Sequence, residues 1–83
     1  MEKIIYPAIF HKDENRGYWV EFPDLPGCLT EGDTLEEAFL MAGDALDCWF
    51  NDPSQERPKP TPITDVKAEE GAVVQMVQPA PYL

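Results

Sequence analysis

Along the first third of the chain the apolar side chains come in short bursts with polar breaks between them. Lys3 to His11 carries Ile4, Ile5, Tyr6, Ile9 and Phe10, a composition that favours a strand. Pro7 falls inside this run and has no N–H to give to a ladder, which predicts an edge strand or a bulge at that point. Lys12 to Gly17 is polar and turn-forming. Tyr18 to Phe22 then alternates, with Tyr18, Val20 and Phe22 on one face and Trp19 and Glu21 on the other. The two runs read as a hairpin.

Pro23 to Gly27 forms a rigid turn, with two prolines of fixed φ and a glycine placed where a positive φ is expected. Cys28 to Glu31 supplies a brief third strand. Thr34-Leu-Glu-Glu37 has the spacing of a capping box, with Thr34 as N-cap and Glu37 reaching back. From Leu35 to Phe50 the period is helical. Leu35, Ala38, Phe39, Ala42, Ala45, Leu46 and Trp49 share one face, opposite Glu36, Glu37, Asp44 and Asp47. Asn51, Asp52 and Pro53 stop the helix and open a proline-rich linker, residues 51–62, inside a single domain spanning 1–83. One short helical turn is expected within Ile63 to Glu70, and Ala72 to Gln78 reads as a strand that joins the sheet. Pro79, Pro81 and Tyr82 end the chain without another element. The predicted order, β-β-β-α-β, is an α+β layer pair.

Charge changes the picture more than composition does. Sixteen acids against six bases give a net charge of −10. Such a surface repels phosphate backbones and anionic lipid, and draws a basic partner. The alternative is that the acidity serves only solubility. Cys28 and Cys48 lie far apart, and His11 is the one histidine, too few ligands for a zinc site. No secretory leader or membrane span is legible, so the chain reads as cytoplasmic with reduced thiols and no cofactor.

Asp24, Glu31 and Asp33 are close in sequence. A metal-dependent nuclease would need such carboxylates to converge, whereas loop acids need only be solvated. His11 ends a strand beside Lys12 and Asp13 without a nucleophile in step with it, and is expected at the surface. Cys28 should pack inward, and Cys48 sits where the helix dipole opposes a thiolate. Trp19, with Glu21, should point away from the helix, either as an interface anchor or beneath the linker. Leu40, with Met41 and Phe50 on the helix flanks, could form a self-association seam, and a homo-oligomer, dimer or tetramer, is expected.

The segments Tyr6-Pro-Ala-Ile-Phe10, Gly17-Tyr-Trp-Val-Glu-Phe-Pro-Asp-Leu-Pro-Gly-Cys28 and Glu31-Gly-Asp-Thr-Leu-Glu-Glu-Ala38 closely resemble the HicB antitoxin family. The residues matching its pattern are Phe22, Pro23, Asp24, Leu25, Pro26, Gly27, Gly32, Asp33, Thr34, Glu37 and Ala38. The resemblance implies a degenerate ribonuclease-H-like fold. It also implies a partner, the HicA toxin, a small basic protein of double-stranded-RNA-binding fold that cleaves messenger RNA with a catalytic histidine. Many family members add a C-terminal DNA-binding module, and no basic helical tail of that kind is expected in this chain. The sequence therefore predicts an antitoxin domain rather than an enzyme, contacting its toxin through Trp19, Glu21, Asp24, Glu31 and Asp33. The rival readings are a remnant nuclease and a stand-alone oligomeric scaffold. Asp24 has a second reading, a hydrogen bond that stabilises its own turn.

Overall fold

The structure, a computed structural model, describes residues 4–80. Lys3 of the first predicted strand, and Pro81 and Tyr82 of the predicted chain end, lie outside the described residues. The observed elements are β1 (Tyr6–Lys12), β2 (Tyr18–Glu21), β3 (Leu29–Gly32), α1 (Leu35–Phe50), a single 3-10 turn (Ile63–Asp65) and β4 (Val73–Val77). Among the described residues the four strands form one antiparallel sheet in the order β3-β2-β1-β4. This is the predicted β-β-β-α-β succession, with β4 added beside β1.

Pro7 corrects the expectation of an edge strand, because β1 is central and pairs on both sides. The ladder phase explains how proline is tolerated there. The Asp13 amide donates to the Gly17 carbonyl at 2.9 Å, in register with the pairs Ile9–Glu21 and His11–Trp19. Backbone groups alternate along an antiparallel pair, so odd-numbered residues of β1 turn their amides toward β2 and even-numbered ones toward β4. The nitrogen of Pro7 therefore faces the side where β2 has already ended. No ladder bond is lost.

One face of the sheet packs on α1. Phe10, Val20, Phe22, Leu25, Ala38, Ala42, Leu46 and Val77 are buried there together with Cys28. Phe39 stacks on Phe10 and Phe50 on Tyr6, with ring centroids 6.3 and 5.7 Å apart. Phe50 thus belongs to the packing against β1 and not to a seam with Leu40. The helix starts as its sequence dictates. Thr34 is extended, its Oγ1 accepts from the Glu37 amide at 3.0 Å, and the Glu37 carboxylate accepts from the Asp33 amide at 2.8 Å. Leu35, expected on the inner face, is exposed at the helix start.

The closest approach of helix to sheet is at Gly32, on β3. A Cβ there would stand 2.4 Å from the Ala38 nitrogen, so only glycine lets the first turn of α1 lie on that strand. Gly27 is needed for a different reason. It has φ +95°, and a Cβ there would meet only the edge of the Trp49 ring, at 3.8 Å, so the constraint is in the backbone rather than in space.

Both glycines generate the same test with separate causes. Gly27→Val should lower stability by about 1–3 kcal/mol through the forced backbone angle. Gly32→Ala should cost about 1–3 kcal/mol by pushing α1 off β3. Chemical denaturation measures both, and an unchanged midpoint for either variant would contradict the corresponding account.

Candidate partner-binding surface

The face of the sheet away from α1 carries Pro7, Ile9 and His11 from β1, Trp19 and Glu21 from β2, Leu29 and Glu31 from β3, and Val74 and Met76 from β4. Its β1 half is closed. Pro7, Ile9 and His11 are buried, and the chain between α1 and β4 is fastened over them as a strap. Tyr6 Oη donates to the Pro58 carbonyl. The Thr61 amide and hydroxyl donate to the two carboxylate oxygens of Asp24 at 2.9 and 2.6 Å. The 3-10 turn lies against β4. Glu69 closes the series at His11.

His11 is therefore not a surface residue, as its neighbours Lys12 and Asp13 had suggested. Its Nδ1 lies 2.7 Å from Glu69 Oε1 and its Nε2 2.5 Å from Glu21 Oε2, and the ring is buried. Both ring nitrogens are thus engaged by carboxylates. Neither nitrogen is left free to serve as a general base. Nothing in the local sequence could have shown this, since Glu69 is 58 positions away.

Trp19 stacks on that ring, with centroids 4.0 Å apart and planes 15° from parallel. The clamped imidazole holds the indole flat, while 40% of Trp19 remains exposed. Across the ladder from Trp19 stands Glu31, and across from Glu21 stands Leu29, itself 60% exposed. Trp19 and Leu29 are diagonal neighbours on one face, within reach of each other for large side chains. The open half of the sheet thus offers two apolar groups beside an acid. Leu29 was not singled out from the sequence. Its step of two from Glu31 carried the signal, but only once the register with β2 is known.

The five candidate contact residues do not form one cluster. Trp19, Glu21 and Glu31 share the open half, with Glu21 committed to His11. Asp24 sits in the turn that follows β2 and is committed to Thr61. Asp33 is exposed at the other end of the β2–β3 pair, beyond Gly32. Four residues of strand separate these ends, about 13 Å. The residues that match the family pattern fall into structural places: Phe22 and Leu25 in the core, Pro23, Pro26 and Gly27 in the turn, and Gly32, Thr34, Glu37 and Ala38 at the helix start.

Among the described residues both cysteines are free. Cys28 is buried, and burial, with a smaller effect from nearby Cys48, pushes its thiol up to about 11. It behaves as a small core residue.

Comparison with known proteins decides the family. The family model described as HicB-like antitoxin of bacterial toxin–antitoxin systems matches residues 6–80. The chain belongs to the HicB-like antitoxin family. Two relatives come from Photorhabdus laumondii. Antitoxin HicB 2 is 49% identical over 67 residues, covering 76% of this chain and 45% of its own length. Antitoxin HicB 1 is 45% identical over 62 residues, covering 70% and 39% respectively. This HicB-like chain therefore spans less than half the length of these two relatives. A toxin–antitoxin complex from Streptococcus pneumoniae contains a chain of the same fold, with TM-score 0.69 at 22% identity, covering 92% of this chain and 68% of that one.

The Asp24–Thr61 contact can be isolated. Asp24→Ala should cost about 1–3 kcal/mol, since two donors lose a charged acceptor. It should also speed hydrogen exchange in the strap, residues 59–69, while α1 stays protected. Equal exchange of the strap in the variant and the parent would show that Asp24 does not hold it.

Proposed function

We propose that this HicB-like domain is the toxin-facing module of a cytoplasmic antitoxin. It would hold a small basic toxin of the HicA type against the open half of its sheet and so cover the toxin's RNA-cutting surface. The observation that carries this reading is Trp19, a large side chain on the uncovered face, fixed in orientation by a clamped histidine and flanked by Leu29 and Glu31. A rigid aromatic group in such a place loses little freedom on binding and typically anchors an interface. The net charge of −10 supplies attraction toward a basic surface before contact is made. Family membership supports the reading, and the Streptococcus pneumoniae structure is of a toxin bound to its antitoxin.

The same geometry supports a binding role over an enzymatic one. Asp24 and Asp33 lie at opposite ends of the β2–β3 pair and do not converge on a common point. His11 is enclosed by its two carboxylates and by Trp19.

Binding of the basic toxin to wild type and to Trp19→Ala tests the proposal. Truncation should leave the domain folded and weaken binding by about 2 kcal/mol, on the order of 30-fold. Raising salt should slow association much more than it hastens dissociation, because screening removes long-range attraction first. Glu31→Gln with Asp33→Asn should reproduce part of that loss. Asp24 is left out of this pair because its removal also frees the strap. Unchanged affinity in Trp19→Ala, with a salt-independent association rate, would place the toxin elsewhere.

A further inference from the structure

We propose that Cys28 and Cys48 close into a reversible intramolecular disulfide, a redox-responsive staple between the entry of β3 and the last turn of α1. Among the described residues both cysteines are free, Cys28 buried and Cys48 exposed. Both line one open cavity, together with Leu29, Ala45, Trp49 and Asp52. The Cys28 thiol donates to the Ala45 carbonyl, with sulfur and oxygen 3.8 Å apart. Helix carbonyls point along the axis toward the C-terminus, so that oxygen lies beneath the next turn, where Cys48 stands. The preceding residue agrees. A Cβ on Gly27 would meet the Trp49 ring at 3.8 Å, so this end of the turn runs beside this end of the helix.

A disulfide tolerates only a narrow range of geometry, so one partner must be able to shift. Cys28 is fixed. It packs in the core with Phe22 and Leu25, its amide donates to the Leu25 carbonyl at 2.9 Å, and its carbonyl accepts from the Phe22 amide at 3.4 Å. Cys48 has the freedom that Cys28 lacks. It lies in the last turn of α1, where its carbonyl accepts from the Asn51 amide at 3.3 Å in a three-residue step. No basic side chain answers the helix dipole in that turn. A helix end of this kind opens at little cost, which lets Cys48 come to Cys28 while the core stays packed.

Exposure gives the two sulfurs different parts. The oxidant is a small disulfide such as oxidised glutathione. Cys48 attacks one of its sulfurs, a mixed disulfide forms, and one glutathione leaves as its thiolate. Cys28 then attacks the Cys48 sulfur and expels the second glutathione. The two cysteines lose two electrons and two protons, and the oxidant takes them up as two glutathione thiols. Neither cysteine is activated, since the helix end opposes a thiolate on Cys48 and burial opposes one on Cys28. The pair therefore answers sustained oxidation and not a brief pulse. The closed loop, residues 28–48, holds all of β3 and most of α1, the two elements that meet at Gly32. The staple does not depend on which partner the Trp19 face binds.

Incubating the folded 83-residue chain with oxidised glutathione tests the pair. Mass spectrometry should find a single chain lighter by two hydrogens, without free thiols or bound glutathione, and dithiothreitol should return it to its starting mass. Its denaturation midpoint should lie above that of the reduced chain, because the closed loop restricts the unfolded state. Closure should quicken on the order of tenfold per pH unit from about pH 7 to 9, since the Cys28 thiolate fraction grows in that proportion below about 11. Cys28→Ala should stop at a glutathione adduct on Cys48. Cys48→Ser should stay unmodified, because its remaining thiol is buried. If Cys28→Ala fails to fold, Cys48→Ser and the wild-type product decide the matter. A lasting glutathione adduct on the wild-type chain would overturn the proposal, as would bonds formed only between chains or only in denaturant. An oxidised chain no more stable than the reduced one would overturn it too.

Discussion

A strand at the centre of a small sheet has to be covered on both faces, and β1 leaves the chain no choice about it. Tyr6, Ala8 and Phe10 on one side and Pro7, Ile9 and His11 on the other are all buried. One helix can cover only one side. The second cover is made from the linker between α1 and β4, which has little apolar content of its own and is held instead by polar contacts. Asp24 holds Thr61 and His11 holds Glu69, while Tyr6, from the helix side, fixes the start of the linker at Pro58. Each engages a residue of the β-sheet region with one more than thirty positions away. Proline helps, since a segment already restricted in φ loses less freedom when it is fastened down.

The strap closes only half of the second face. It lies over β1 and β4, and β2 and β3 remain open. The last of its fasteners is also the residue that shapes the open half, because His11 is both the anchor point for the strap and the platform for Trp19. Closing one half and orienting the other are thus a single arrangement. On the helix side a comparable division follows from Gly32. Its missing side chain draws α1 over β3, and the same displacement leaves Leu35 and Leu40 beside an uncovered β4 edge.

Local chemistry was legible in the sequence where its cause is local. The capping pair Thr34 and Glu37, the positive φ of Gly27, the alternation of Tyr18 to Glu21 and the inward Cys28 all follow from neighbours within a few positions. Pro7 misled because its cost depends on where β2 ends, which is a property of the sheet order. His11 misled because burial comes from a partner far along the chain. Asp24 looked like part of an acidic rim together with Glu31 and Asp33, but proximity in sequence becomes separation once a hairpin stretches between them. Trp19 was placed on the correct face by alternation alone. The stacking that makes it rigid, and Leu29 beside it, required the register.

The central claim is that one half of the sheet's second face is sealed by the chain itself so that the other half can receive a partner. Backbone amide shifts of the labelled 83-residue chain, followed while a basic toxin of the HicA type is added, test it most directly. The account predicts that the largest changes fall on β2 and β3 around Trp19, Leu29 and Glu31, with the outer face of α1 around Glu36 and Asp47 unmoved. Saturable changes confined to α1, with β2 and β3 silent, would contradict it.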